Sequence, residues 1–234
     1  MALGIACGPP GHHTDAMDDW ERTDAYLTDT LIGADPQLED ALAANAAAGL
    51  PPIDVAPVQG KFLHLLARIR GARRILEIGT LGGYSTIWLA RAVGDDGRVV
   101  TLEYEPRHAE VARANLDRAG VGERVDIRVG AALDTLPSLE GGAPFDLVFV
   151  DADKENNPHY VRWALRLGCP GTVIVVDNVI RGGSVTNADL DDERVRGARE
   201  VLELMATDPR LDATALQTVG AKGWDGFAIA VVTD

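Results

Sequence analysis

Ile75, Leu76 and Ile78 form a short apolar run that stops at Gly79, Gly82 and Gly83, and a helical pattern starts at Tyr84. An apolar strand that turns through glycines straight into a helix reads as a buried parallel strand of a βαβ unit. The glycines let the backbone turn tightly and let a ligand lie against it with no Cβ in the way. Glu77 is out of place in that run. A buried carboxylate needs a partner, so Glu77 either caps nearby amides or anchors a cationic ligand group.

One strand further on, Arg98–Glu103 is again apolar and again ends in an acid. An acid about 20 residues past a glycine turn commonly accepts from the two hydroxyls of a ribose. Strand, glycine turn, helix, strand and Glu103 together indicate a nucleoside-bearing ligand. A dinucleotide fingerprint would need G-x-G-x-x-G. Here Glu77 stands where the first glycine belongs, which weakens the pyrophosphate reading.

Periodicity places helices at about 18–32, 36–48 and 57–69, the last with Pro57 in its first turn and Val58, Phe62, Leu65, Leu66 and Ile69 at core spacing. From Arg73 onward strands at about 73–78, 98–103, 125–129, 145–150 and 172–177 alternate with helices at about 84–93, 106–119, 131–138 and 157–168. That alternation predicts an α/β fold with a mostly parallel sheet and helices on both faces. A helix at about 192–206 and strands at about 211–219 and 226–232 add an antiparallel edge hairpin, seven strands in all. Residues 1–16, rich in Gly and Pro, read as a loose tail before one domain over 17–234, with N-terminal helices to 70 and an α/β core beyond.

A net charge of −14 opposes binding to nucleic acid or an anionic membrane. Two cysteines, Cys7 and Cys169, make no disulfide framework and fit a reducing cytoplasm. The sequence has no apolar run near membrane-spanning length and no signal-peptide pattern. His12 and His13 lie in the tail, and His64 on the third helix; none is given chemical work.

Open parallel sheets bind ligands beyond the carboxyl ends of their strands. The fourth strand runs into Asp151-Ala152-Asp153-Lys154 and the fifth into Asp177-Asn178. Asp151, Asp177 and Asn178 offer three hard oxygen donors, a set for Mg²⁺ with Ca²⁺ or Mn²⁺ as alternatives. The competing reading is a rim of carboxylates capping adjacent loops. Lys154 is either a solvated lysine paired with Asp153 or Glu155, or, beside a divalent cation, a general base with a depressed pKa.

The run Glu77-Ile78-Gly79-Thr80, then Gly83-Tyr84-Ser85, Glu103, Asp151-Ala152-Asp153-Lys154 and Asp177-Asn178, resembles the cation-dependent O-methyltransferases that use S-adenosylmethionine, the caffeoyl-CoA and catechol O-methyltransferase relatives. The resemblance runs from about Val55 to the C-terminus and implies a Rossmann-like class I methyltransferase fold. It implies that Asp151, Asp177 and Asn178 hold the metal and that Lys154 takes the proton of a phenolic substrate. It places Val55, Glu77, Gly79, Thr80, Ser85, Glu103, Ala132 and Asp153 around the cofactor, with Glu103 at the ribose and Ala132 at the adenine. It implies a homodimer as well.

Where plant relatives carry Trp and Asn after the metal pair, this chain has Arg181 and Gly182. Arg181 either borders the acceptor pocket or faces solvent and the acids Asp189, Asp191 and Asp192. The stretch Val219–Gly226 reads as a longer turn than the family's, with Trp224 either on its surface or supplying an aromatic face. Two rival functions remain: a nicotinamide-dependent oxidoreductase, and a non-catalytic S-adenosylmethionine-binding module.

Overall fold

A computed structural model describes residues 19–233. The tail expected over 1–16, with Cys7, His12 and His13, lies outside the described residues. Three helices come first, α1 (Asp19–Leu31), α2 (Pro36–Ala47) and α3 (Pro57–Arg70). Pro36 and Pro57 open the latter two, at positions where no amide hydrogen is needed. Asp35 caps α2 by accepting from the Leu38 amide at 3.2 Å. The α/β part then runs β1 (Arg74–Ile78), α4 (Tyr84–Ala92), β2 (Arg98–Glu103), α5 (Pro106–Arg118), β3 (Val125–Val129), α6 (Ala132–Thr135), β4 (Leu147–Val150), α7 (Asn157–Leu167), β5 (Val173–Asp177), α8 (Glu193–Thr207), β6 (Leu211–Gly220) and β7 (Gly223–Val232). Arg91 on α4 pairs with Asp35 at 2.6 Å, strapping the N-terminal helices to the α/β part. Its hydrogen bonds hold the Asp35 carboxyl below the usual carboxylate range.

The strands form one seven-stranded sheet in the order β3-β2-β1-β4-β5-β7-β6. β3, β2, β1, β4 and β5 are parallel, and β7 joins β5 antiparallel. Alternate residues feed two apolar layers. Ile75, Val99, Leu147 and Phe149 pack with Leu63, Ile87, Leu89 and Leu116 of α3, α4 and α5. Leu76, Ile78, Val148 and Val176 pack on the other face with Tyr160, Val161, Val201 and Met205 of α7 and α8. The order reverses between β1 and β4, and this opens a crevice at their carboxyl ends.

Three expectations change in detail. The helix expected over 131–138 breaks into α6 and a 3₁₀ turn, Leu136–Leu139, because Pro137 lacks the amide an α-helix would use. β4 and β5 start one or two residues late, at Leu147 and Val173. The long turn expected over Val219–Gly226 is largely strand. Val219 pairs with Trp224 and Gly220 with Gly223, leaving Ala221 and Lys222 as the turn, with Gly223 in the left-handed region at φ +84°.

Candidate active site

Register decides which side chains meet. Ile78 lies beside Leu102 on one side and Val150 on the other, and Val150 lies beside Val176. The next residues along these strands therefore form a row: Glu103, Gly79, Asp151, Asp177. The Gly79 amide donates to Leu102 O at 3.0 Å and the Asp151 amide to Ile78 O at 2.8 Å. Gly79 has φ +98°, and a Cβ there would lie 2.1 Å from Asp151 O.

Glu77 is completely buried and accepts from three hydroxyls: Ser85 at 2.6 Å, Thr101 at 2.7 Å, and Thr86. Its carboxylate thus caps hydroxyls, where the sequence reading had amides. Burial pushes its pKa up to about 7, with the three hydroxyl bonds opposing. Glu103 caps amides instead. One oxygen accepts from Thr80 N at 3.1 Å and Leu81 N at 2.7 Å, the other from Glu105 N at 3.0 Å, and the latter lies 3.3 Å from His108 Nδ1. The glycine turn is gripped from its other side as well. Asn115 on α5 donates to Gly82 O at 2.8 Å and to Asn45 Oδ1 on α2 at 2.9 Å. A Cβ at Gly82 would run into that Asn45 amide.

Of the expected metal ligands, Asp151 and Asp177 stand at the ends of the neighbouring strands β4 and β5, and Asn178 follows Asp177 in sequence. Lys154 Nζ lies 2.6 Å from Asp151 Oδ1, which replaces the expected pairing with Asp153 or Glu155. Asp177 is buried, accepting from Gln59 Nε2 on α3 and from the Asn178 amide, each at 2.8 Å. Burial, and then the Asp151 charge, push the Asp177 carboxyl well above its usual range, with Lys154 opposing. Asn178 sits at φ +58°, a left-handed conformation that asparagine tolerates. Among the described residues no three His, Cys, Asp or Glu side chains gather as a metal cluster, so a cation here needs the Asn178 amide oxygen as its third protein ligand. Two carboxylates and an amide oxygen suit a hard divalent ion.

A cavity of about 860 Å³ opens over this row. Val55, Gly79, Thr80, Ser85, Glu103, Ala132, Asp151, Asp153, Lys154 and Asn178 are among the residues that line it. Glu77 and Asp177 stand behind its wall. Asp153 accepts from the Tyr160 hydroxyl at 2.5 Å; burial and then that bond push the phenol pKa upward. Gln59, Asn45, His108 and Tyr160 carry no sequence signal of their own. His64 lies apart, 3.1 Å from Trp88 O, and burial lowers its pKa.

Arg181 lines the cavity, and its acid partner is neither Asp189, Asp191 nor Asp192. Its Nη1 lies 3.8 Å from Asp225 on β7. Trp224 is half exposed on β7 outside the cavity lining, and its Nε1 donates to Gln217 at 3.0 Å.

A family model described as O-methyltransferase matches residues 32–228. The catechol O-methyltransferase of Mycobacterium tuberculosis is 65% identical over 209 residues, covering 89% of this chain and 94% of that protein. A crystal structure of the O-methyltransferase from Bacillus cereus in complex with SAH superposes with a TM-score of 0.90 at 57% identity, over 92% of this chain and 98% of that one. The O-methyltransferase TomG from Streptomyces achromogenes, involved in tomaymycin synthesis and solved in complex with SAM, gives a TM-score of 0.90 at 51% identity, over 94% and 100%. The sheet order and these neighbours make the fold a Rossmann-like class I methyltransferase fold. This chain belongs to the O-methyltransferase family.

Proposed function

We propose that this O-methyltransferase moves a methyl group from S-adenosylmethionine to one hydroxyl of a vicinal dihydroxy aromatic, with a divalent cation, Mg²⁺ first, held by Asp151, Asp177 and Asn178. The observation that carries the reading is the row of strand ends. Glu103 and Asp151 of that row line one cavity together with Lys154, and Asp177 stands beside Asp151 behind its wall, an arrangement that suits a ribose, a cation and a proton acceptor. The relatives named for catechol methylation and solved with SAM or SAH support it. Family membership displaces the nicotinamide reading.

S-adenosylmethionine supplies a sulfonium methyl, and a cation in the Asp151 site supplies Lewis acidity toward an acceptor hydroxyl. The chain's own residues do the rest. Glu103 takes ribose hydroxyls while keeping the turn at Thr80 and Leu81 closed. Val55, Gly79, Thr80, Ser85, Ala132 and Asp153 shape the cofactor half, and Glu77 orients Ser85 from behind it. Lys154, as the free amine, accepts the acceptor's proton at Nζ, and the cavity walls hold oxygen and methyl in attacking geometry. We place the enzyme in the cytoplasm, away from nucleic acid and membrane, on its charge and cysteine usage; among the described residues no helix is long and apolar enough to cross a membrane. Exposed Leu216, Val219, Trp224 and Val231 on the outer two strands support a homodimer that covers this edge.

Removal of divalent ions tests the core of the proposal. Turnover of catechol should vanish in EDTA and return with excess Mg²⁺; full turnover in chelator would remove the metal, and no turnover under any ion would favour a non-catalytic binding module. The ribose assignment is tested separately. Glu103→Gln should weaken S-adenosylmethionine binding by about 1.5–3 kcal/mol, the worth of a hydrogen bond to a charged acceptor. Calorimetry showing unchanged affinity would place the ribose elsewhere.

A further inference from the structure

We infer that Arg181 reads a carboxylate on the methyl acceptor, so that the preferred substrate is a catechol bearing an acid group. This deepens the function proposed above and rests on it. Arg181, Gly182 and Gly183 follow one another in the left-handed region, at φ +56°, +59° and +83°. That conformation is unfavourable for arginine and persists only where the surroundings impose it.

Here β7 imposes it. Asp225 Oδ1 accepts from the Ile180 amide at 3.1 Å and from the Arg181 amide at 2.9 Å. The Trp224 ring lies so close to Gly183 that a Cβ there would sit 2.6 Å from it, and Gln217 holds the indole N–H. The edge hairpin therefore fixes the backbone from which Arg181 reaches the wall of the cavity, shared with Asn178 and Lys154.

The guanidinium at the end of that side chain is under-satisfied. The side chain is 24% exposed. Its one acid neighbour, Asp225 Oδ2, stands at 3.8 Å, beyond hydrogen-bond distance. Its Nε is buried without a partner. Five N–H donors in a fixed fork call for a bidentate anion, and a planar carboxylate matches them. The other basic side chains on the cavity are engaged or exposed: Lys154 meets Asp151, His108 meets Glu103, and the largely exposed Arg194 leans on Asp192. Asp54, Glu103, Asp151, Asp153 and Glu155 make the remaining charge acidic. Among the basic side chains that line this cavity, Arg181 is the one with no acid within hydrogen-bond distance.

The test is the ratio of kcat/KM for protocatechuate to that for catechol, measured with Mg²⁺. The wild-type ratio should exceed one. Arg181→Gln should lower it about tenfold or more, and Arg181→Glu should lower it further and turn the preference toward dopamine, whose substituent is cationic. A wild-type ratio at or below one overturns the inference without recourse to any variant. Ratios that stay at the wild-type value in both variants overturn it as well. A wild-type enzyme that methylates none of the three compounds instead overturns the catechol reading beneath it, so the two failures are distinguishable.

Discussion

Lys154→Met is expected to lower kcat on a catechol by about 10²–10⁴, the usual worth of a positioned general base, with S-adenosylmethionine affinity retained. The lysine is largely buried, and its Nζ sits 2.6 Å from Asp151 Oδ1 at the floor of the cavity. Methionine keeps an apolar stem of the same reach as the lysine's four carbons and lacks the nitrogen proposed to take the proton. The ammonium also offsets the repulsion between Asp151 and Asp177, so the variant should lose more thermal stability in EDTA than in Mg²⁺. Stopped-time methyl transfer gives the rate, and calorimetry with S-adenosylmethionine gives the affinity. A kcat within about threefold of wild type would move the base elsewhere.

Gly79→Ala should have the largest effect on stability, about 3 kcal/mol or more. Two costs add. At φ +98° an L-residue is strained, and the new Cβ would lie 2.1 Å from Asp151 O and 2.8 Å from Asp151 C. Both are backbone atoms of Asp151, just past the end of β4, while Gly79 lies just past the end of β1, so relief means prising apart two hydrogen-bonded strands. Gly49→Ala is the comparison. Gly49 also has positive φ, +73°, but a Cβ there meets nothing within 4 Å, so its cost should stay near the ~1–2 kcal/mol of the left-handed conformation alone. Urea unfolding midpoints rank the pair. Equal losses would mean that the close approach at Asp151 O is easily relieved.

The strand ends were legible because an acid closing an apolar strand interrupts a pattern that periodicity otherwise explains. Glu103, Asp151 and Asp177 each stand out in that way, and parallel register brings them together. Gln59 does not stand out. It sits in a helix with an ordinary apolar stripe, and its bond to Asp177 spans 118 positions of sequence. Asn45 and Asn115 are hidden for the same reason, since only the packing of α2 on α5 makes them neighbours. Glu77 was legible as an anomaly but not in its partners, because Ser85, Thr86 and Thr101 approach it from α4 and β2. The edge hairpin was misread in length: Gly220, Gly223 and Gly226 look like turn residues, and only the pairing of Val219 with Trp224 shows that the strands continue.

Neighbouring strands in a sheet stand about 4.8 Å apart, and that repeat sets the spacing of the row Glu103, Gly79, Asp151, Asp177. On the proposed function, methyl donor and reaction centre would be gauged by main-chain hydrogen bonding, which tolerates many exchanges of side chain in the layers above and below. Acceptor choice would hang on a different piece of the molecule, the bend at 181–183 braced by the outermost hairpin. The two could then diverge independently: a lineage could exchange one aromatic acceptor for another by reworking residues at the sheet margin, while the spacing of the strand ends stays the same.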